Sequence, residues 1–449
     1  MYIDDLLRLR KFKEINEMLK NGGLALKELI DIDDADSIEI LAENLHRLEN
    51  VNLDDLVNAF SGASADIIVL FALYATCLSE THIQTLADFV IKTGDIDSMI
   101  EFASISNAPT NKLGGKINEL GDVEAILEFL ETIPNISEEL MNDFARTIVA
   151  TKDINVINNF LETSKKIYVS TYEILVSGLI TINDASKMID FIKSAKNCHE
   201  IIPKDTLKTL LNSIITLLKE EKTELNNLGD IYQYIIENYP NEIQMEIFED
   251  LTDKVILTKK IDFIANFGIN FEGANKFKIA RTLVDSKSLK WVYIFAKNAK
   301  NIPDGVINIL IEFVKNTHSP KFIYLFLCSF VLSQINLLAL VCAIMKTNDM
   351  DYIGFALINI GNKYLQGDLK TEERMEEISK AKQILKDYLD KNGNYLDKTA
   401  NYSFLTYPIT NPSDELEKIL LNSDDKVQNP FEPTETAKTM NFVKPEGNA

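Results

Sequence analysis

Few residues of this chain have the types and spacing needed for catalysis or metal binding. The four histidines stand far apart, so none has a second ligand at metal-binding spacing: His46, His82, His199 and His318. Gly114-Gly115-Lys116 is followed by Ile117 and lacks the earlier glycine of a phosphate-binding loop. No serine-hydrolase or zinc-protease motif is present either. The sequence therefore predicts a protein with no enzymatic activity, no metal and no cofactor.

Cysteines and acidic residues offer two further kinds of chemistry. The four cysteines show no CxxC spacing and lie in apolar helical sequence, typical of buried free thiols in a reducing compartment: Cys77, Cys198, Cys328 and Cys342. Asp31, Asp33, Asp34 and Asp36 resemble part of a calcium loop. Ala35, however, holds the fifth position, where an EF-hand needs an oxygen ligand, and Asp36 holds the sixth, where it needs glycine. We therefore expect this acidic turn to cap a helix.

Composition narrows the classes of function. The chain has 449 residues, 68 acidic against 46 basic, and a net charge of −22. Such a charge disfavours nucleic-acid binding, which usually needs a basic stripe. The abundance of Lys, Asn and Ile is typical of a low-GC bacterium or its phage. Residues 1–20 contain no continuous apolar core, so we expect no signal peptide and a cytoplasmic location.

These residues are carried by a repeated amphipathic phrase. Asp122-Val-Glu-Ala-Ile-Leu-Glu-Phe129 recurs, in altered form, from Asp153 and from Asp184, which is once every 31 residues. A fixed period of this size indicates a stacked repeat array. Each unit opens with Asp or Ser as a helix N-cap and carries a large apolar residue seven positions later. The predicted openings are Asp34, Ser64, Asp95, Asp122, Asp153, Asp184, Ser288, Ser319 and Asp349.

Each unit reads as two short helices joined by a polar loop. Neither helix can bury a face alone, so neighbouring units must stack. The spacing of 104 residues from Asp184 to Ser288 leaves room for about three units. We predict an all-α fold, an α-solenoid of about eleven stacked helical hairpins. Its parts are an N-terminal capping helix (1–33), the repeats (34–365), a C-terminal capping helix (366–392) and a proline-containing, largely irregular tail (393–449).

One stretch has the length of a membrane span. Phe322 to Met345 is uncharged, but Ser333-Gln334-Ile335-Asn336 falls where the repeat pattern places its loop. We therefore expect two short buried helices rather than one span, and no membrane partner.

Comparing equivalent positions of the units reveals a possible binding surface. Six residues after the opening, the early units carry polar residues expected to face solvent: Glu101, Glu128, Asn159 and Asp190. The last three units carry Ile294, Leu325 and Phe355 there, beside further aromatic residues. A contiguous exposed apolar patch usually marks an interface. The predicted protein-binding residues are Trp291, Tyr293, Ile294, Phe322, Tyr324, Leu325, Tyr352 and Phe355.

Three interpretations of this aromatic face stay open. It could bind a protein partner or a second copy of the chain, or it could contact a membrane. Alternatively, the charged helix at Thr371–Asp390 or the tail could fold back over it.

The C-terminal units also resemble a known kind of repeat. Trp291-Val-Tyr-Ile-Phe-Ala296 and Phe322-Ile-Tyr-Leu-Phe-Leu327 resemble the tandem Tyr-Ile-Tyr-x-Phe-Ala repeats of low-GC bacterial and viral proteins. The wider plan is similar to helical-hairpin solenoids of the HEAT and TPR type, although the Trp…Leu-Gly…Tyr pattern of a TPR unit is absent. The resemblance implies a solenoid fold and a scaffolding role, and it assigns no functional residues.

Two functions compete on these grounds. The first is a non-catalytic scaffold or adaptor that binds a protein partner of unknown identity along an extended surface. The second is an acidic inhibitor, in a phage or host-defence context, that mimics nucleic acid and occupies a partner's basic groove. An RNA-binding helical repeat is disfavoured by the charge and by the presence of only six arginines.

Overall fold

A computed structural model describes most of the chain. The described residues are 3–22, 24–30, 34–49, 51–196, 198, 200–220, 228–329, 334–364, 372–392 and 412–423. Within these ranges the chain forms helices and turns and contains no strand, which confirms the predicted all-α class. The chain divides into two compact units, Met1–Leu217 (unit 1) and Leu218–Ala449 (unit 2).

Unit 1 is built from short helices that pack in order. Short 3₁₀ turns lie at Leu26–Leu29, Leu45–Arg47 and Phe60–Gly62. The odd-numbered helices from α3 to α13 each pack on the next odd-numbered one, and α6, α8, α10 and α12 do the same. The α-helices are α1 (Ile3–Arg8), α2 (Phe12–Lys20), α3 (Ala35–Glu43), α4 (Leu53–Ala59), α5 (Ala65–Tyr74), α6 (Glu80–Thr93), α7 (Ile96–Ala103), α8 (Thr110–Leu120), α9 (Val123–Thr132), α10 (Glu138–Ala150), α11 (Ile154–Thr163), α12 (Val169–Ile182) and α13 (Ala185–Ala195).

Unit 2 follows the same packing order. Helix α14 (Lys204–Glu220) runs across the boundary between the units. The remaining helices are α15 (Leu228–Asn238), α16 (Asn241–Leu257), α17 (Ile261–Asn270), α18 (Lys276–Asp285), α19 (Leu289–Asn298), α20 (Asp304–Asn316), α21 (Pro320–Ser329), α22 (Gln334–Lys346), α23 (Met350–Tyr364), α24 (Glu372–Asn392) and α25 (Pro412–Leu421). Successive odd-numbered helices pack from α17 to α23, and successive even-numbered helices pack from α16 to α24.

The predicted openings all lie at helix starts, although the side chains of Ser64 and Asp95 form no capping hydrogen bond. Each of the nine openings directly precedes a helix, as in α9 after Asp122 and α13 after Asp184. The Asp122 carboxylate accepts a hydrogen bond from the backbone N–H of Ala125 at 3.1 Å. Asp184 accepts one from Lys187, also at 3.1 Å. These bonds satisfy backbone donors that a helix start leaves free.

The residue seven positions after an opening is large, apolar and part of the core in every repeat except the last, where it is Ala356. In unit 1 these residues are phenylalanines with no solvent exposure in five consecutive odd-numbered helices: Phe71, Phe102, Phe129, Phe160 and Phe191. Phe295 is 0% exposed and Phe326 is 1% exposed at the same place in unit 2. The repeat spacing therefore predicted the core positions correctly.

A left-handed residue stands immediately before most of these helix starts. At eight junctions the backbone φ is positive, between 51° and 76°: Gly94, Gly121, Lys152, Asn183, Lys259, Lys287, His318 and Asn348. At six of these junctions a Thr or Ser stands just before the left-handed residue. Its hydroxyl donates a hydrogen bond to a carbonyl in the last turn of the preceding helix. The same hydroxyl accepts one from the backbone N–H of the residue just after the left-handed one. Thr151, for example, donates to Ile148 O at 2.6 Å and accepts from Asp153 N at 3.2 Å. The turn before these odd-numbered helices is thus one recurring structure.

Two expectations about the ends of the array need comment. The predicted single N-terminal helix is instead two helices, α1 and α2, because Arg10 adopts a left-handed φ of 55°. The Lys11 N–H then bonds to Leu6 O at 2.8 Å, which closes α1. At the other end, α24 matches the predicted capping helix and packs on α22 and α23. Most of the predicted tail lies outside the described residues, but α25 within it is helical.

The long apolar stretch is two helices, as predicted. Helix α21 ends at Ser329 and α22 begins at Gln334. Among the helices in the described ranges, none is both long and apolar enough to cross a membrane.

Candidate functional site

The polar positions predicted to face solvent in unit 1 are exposed. They lie on four consecutive odd-numbered helices, α7 to α13: Glu101, Glu128, Asn159 and Asp190. The idealised helix angle used for this prediction was therefore adequate in unit 1.

A second set of exposed carboxylates lies two residues after the caps. Asp36, Asp66, Asp97 and Glu124 occupy this position on α3, α5, α7 and α9, and we call them the acidic row. Because these four helices pack successively, and packed helix axes lie about 8–10 Å apart, the row repeats at that spacing along unit 1. The sequence analysis did not single out these residues. Their signal was present as an acidic residue two positions after each of the first four caps.

The predicted aromatic face of unit 2 is mostly covered. Contrary to the expected exposure, Tyr293, Phe322, Tyr324 and Leu325 are all 0% exposed. The other four residues are half-buried: Trp291, Ile294, Tyr352 and Phe355. The four buried side chains cannot contact a partner in this conformation. The protein-binding assignment remains a prediction for the half-buried four.

Aromatic contacts explain much of this burial. The ring of Tyr293 on α19 packs edge-on against Phe326 of α21, with 5.7 Å between centroids. Tyr324 of α21 meets Tyr352 and Phe355 of α23 at 5.7 and 6.2 Å. These contacts therefore join three successive odd-numbered helices, α19, α21 and α23, to one another. Burial, followed by the nearby Asp349 and Asp351 carboxylates, raises the pKa of Tyr352.

A helix from the tail lies over the same region. Helix α25 packs against α21 and α19. Its Leu416 and Leu420, one helical turn apart, are 4% and 0% exposed. Glu417 forms an ion pair with Lys297 of α19. We call the surface of α19 and α21 that receives this helix the α25 groove.

The end of α25 is held by a second lysine of α19. Lys290 Nζ donates to the backbone carbonyl of Ser423 at 3.2 Å, just beyond the C-terminus of α25. A cation there complements both the free carbonyls and the helix dipole. The same ammonium lies 5.4 Å from the ring centroid of Trp291, the only tryptophan of the chain.

The charges of the groove and of its helix are opposite. Helices α19 and α21 carry three lysines and no acidic residue (Lys290, Lys297 and Lys321), in a chain with an overall charge of −22. Helix α25 carries three acidic residues and one lysine. Lys290 and Lys297 therefore give the α25 groove a basic rim in a strongly acidic protein.

Three of the residues considered for catalysis, His82, His318 and Gly114, have structural roles. His82 receives a hydrogen bond from the Ser79 N–H at its Nδ1 (3.1 Å), and its Nε2 lies 2.8 Å from Asp54 Oδ1. His318 occupies a left-handed junction, and His199 lies outside the described residues. Gly114 lies where a Cβ would come within 2.5 Å of the Leu140 side chain, so packing accounts for this glycine. No cluster of metal ligands occurs within the ranges that the structure describes.

The cysteines are free thiols, but not all are buried as predicted. Cys328 is buried and Cys198 partly so, whereas Cys77 and Cys342 are exposed. Burial, followed by the Glu162 carboxylate, raises the pKa of Cys198 to about 11. This thiol is therefore protonated near neutral pH and is a poor nucleophile.

A surface cavity of about 440 Å³ lies beside Lys276 in unit 2, lined by Met245, Phe248 and Phe277 among others. Lys276 Nζ donates to the backbone carbonyls of Lys300 and Asn301. Burial lowers the pKa of this lysine, against the opposing effect of Glu272. Since its ammonium already binds two carbonyls, Lys276 fastens the loop before α20.

Comparisons with known proteins add little. No protein-family model matches the chain, and no curated protein is similar to it. One chain from work on the computational design of self-assembling cyclic protein homo-oligomers is similar at 13% identity. That match covers 80% of this chain and 95% of the other, with a TM-score of 0.12. A TM-score this low does not indicate a shared fold.

Proposed function

We propose that the chain is a non-catalytic scaffold or adaptor, an α-solenoid that binds a protein partner along stacked helices in the cytoplasm. Successive packing of odd- with odd-numbered and even- with even-numbered helices, within each unit, carries this proposal. Such packing is typical of repeat proteins, in which each hairpin contacts its neighbours in a line. Neighbouring helices also pack in pairs, such as α5 with α6 and α7 with α8 in unit 1, and α17 with α18 and α21 with α22 in unit 2, which supports a hairpin as the repeating element.

The exposed carboxylates of unit 1 favour a partner whose binding region is basic. Helices α7 and α9 pack together, and each presents two exposed carboxylates, Asp97 with Glu101 and Glu124 with Glu128. Exposed charges of one sign, repeated at regular spacing, attract and orient a partner of the opposite sign. No cofactor or catalytic group is part of this proposal.

The test is a capture experiment from the native source with two matched variants. Glu101→Gln/Glu124→Gln/Glu128→Gln removes three negative charges from α7 and α9. Glu80→Gln/Glu139→Gln/Glu173→Gln removes three exposed negative charges from the even-numbered helices α6, α10 and α12. We expect a partner to bind the wild type and the second variant, and to bind the first variant at least about tenfold more weakly, because three ionic contacts are lost.

The capture has two informative failures. A partner that both variants retain equally would place the binding surface outside α7 and α9. A wild-type chain that captures no partner, even after cross-linking, would contradict the scaffold proposal. Circular dichroism of both variants controls for loss of helix.

The acidic row favours a second candidate, the acidic inhibitor that occupies a partner's basic groove. Duplex DNA carries one charge per about 1.7 Å of its axis. The acidic row supplies one carboxylate per about 8–10 Å, so its charge density is several times lower than that of duplex DNA. This candidate requires binding to collapse between about 0.05 and 0.5 M salt, since exposed ionic contacts are screened. Binding that survives 0.5 M salt would leave only the scaffold.

A further inference from the structure

The α25 groove has the features of a binding site for one kind of helix. Its bound helix places leucines at positions i and i+4 against the groove and an acidic residue, Glu417, beside Lys297. Lys290 closes the C-terminal end of that helix at Ser423. Amphipathic helices are commonly recognised by such a pattern of apolar anchors in a groove. The groove therefore selects a helix by the spacing of its leucines, by the charge beside Lys297, and by the direction in which its C-terminal end meets Lys290.

We propose that the α25 groove binds an acidic amphipathic helix of a partner protein, and that α25 is the intramolecular competitor for this site. The proposal rests on the scaffold function above and names a second contact surface for it. The partner helix carries leucines one turn apart and an acidic residue next to the first. Charge complementarity carries this assignment, because Lys290 and Lys297 of α19 both bind α25 or its end, and neither α19 nor α21 contains an acidic residue, in a chain of net charge −22.

Because α25 is short, a partner helix could displace it from the groove. It has ten residues, fewer than the roughly 12–15 that an isolated helix needs for marginal stability in water, so the groove must supply the energy that orders it. Its outer side leaves Ile419 49% and Leu421 40% exposed. A partner helix that is longer, or already folded, would not bear the same ordering cost.

The position of α25 in the chain fits a competitor. Nineteen residues (393–411) separate it from α24, and the ion pair between Glu417 and Lys297 spans 120 residues of sequence. Because α25 and the groove belong to one chain, their contact does not weaken on dilution, as binding of an external helix does. An external helix therefore binds the wild-type chain weakly until α25 is released.

The experiment uses the full chain and a labelled peptide with the sequence of residues 412–423. Leu416→Asp/Leu420→Asp releases α25 by placing charges on its buried side. Glu417→Lys weakens its contact through a half-exposed ion pair, with little risk to the fold. By fluorescence anisotropy, we expect the peptide to bind both variants at least about tenfold more tightly than the wild type.

Sequence controls test the chemistry of recognition. An unrelated acidic peptide that keeps only the Leu-Glu-x-x-Leu spacing should compete with the labelled peptide, and a scrambled peptide of identical composition should not. The emission of Trp291 should change in the released variant and return towards wild type on saturation with peptide, because Lys290 links that ring to the end of α25.

Three outcomes would overturn the proposal. One is that neither variant gains affinity for the peptide while circular dichroism shows both folded, which would make α25 a fixed part of unit 2. Another is equal competition by the scrambled peptide. The third is a wild-type dimer that dissociates when α25 is released, which would assign the groove to a second copy of this chain. Any of these leaves the scaffold proposal standing if the unit 1 variants behave as expected.

Discussion

At the scale of single residues, polar side chains in this protein mainly terminate and join helices. Asp34 is the clearest example, because it caps α3 and also pairs with α1. Its carboxylate accepts from the Ser37 N–H at 3.1 Å and from Arg8 Nη2 at 2.7 Å. These bonds, with the Arg8 bond the largest cause, lower the pKa of Asp34 to about 2 from 3.8. The acidic turn that resembled a calcium loop thus has a capping role at Asp34.

This lowered pKa predicts a pH-dependent contribution to stability. A carboxyl group whose pKa falls on folding stabilises the protein above its unfolded pKa, and the contribution is lost as the pH falls through the folded pKa. We expect Asp34→Asn to lower the free energy of unfolding at pH 7, and the difference from wild type to shrink between pH 3.8 and about 2. Urea denaturation across this range measures it, with the exposed Asp97→Asn as control. A difference that stays constant down to pH 2 would contradict the Arg8–Asp34 pairing.

At the scale of elements, close approach of successive helices fixes where glycine is needed. Helices α10 and α12 pack together at Gly178, where a Cβ would lie 2.0 Å from Val149 Cγ1 and 2.9 Å from its Cβ. Gly115 in α8 has no atom within 4 Å of the same construction. Close packing against Val149 therefore explains the glycine at 178, whereas no contact explains the one at 115. Glycine inside a helix is destabilising relative to alanine, so Gly115 has a cost without a packing benefit.

The two glycines predict substitutions of opposite sign. Gly178→Ala should destabilise the protein by about 1–3 kcal/mol through overpacking. Gly115→Ala should stabilise it by about 0.5–1 kcal/mol through helix propensity. Chemical denaturation measures both, and adding Val149→Ala to Gly178→Ala should recover part of the loss, since the two sites touch. Additive losses in the double variant would show that α10 and α12 do not meet at this point.

Local and distant interactions explain which features the sequence could predict. The caps and the core phenylalanines depend on spacing within one helix, and they were predicted residue by residue. The burial of Tyr293 and Leu325 was missed because idealised angles describe one helix and ignore its neighbours. The cover by α25 depends on a contact 120 residues away. Folding back of the tail is one of the three interpretations that the sequence leaves open, but the sequence does not indicate that leucines at i and i+4 anchor it.

At the scale of the whole molecule, the chain consists of two units that repeat one packing order. In a repeat array of the kind proposed above, stability is nearly a sum of local terms, and damage stays close to its origin. Phe129→Ala should remove about 3–5 kcal/mol from unit 1. We expect hydrogen exchange to lose protection in α7–α13 while α17–α23 keep theirs. Phe267→Ala, equally buried in unit 2, should give the converse. Equal loss in both units would mean that the chain unfolds as one cooperative domain.

The recurring turn ahead of the odd-numbered helices marks junctions, here called seams, at which one helix pair could replace another. A left-handed residue followed by an N-cap occurs at Gly121-Asp122 and again at Lys152-Asp153. Excising residues 122–152 would join Gly121 directly to Asp153 and so recreate a junction of the kind already present. Unequal recombination at such seams can lengthen or shorten the protein by a whole hairpin without requiring a new turn. Each seam is therefore a point at which the chain can gain or lose one helix pair during evolution.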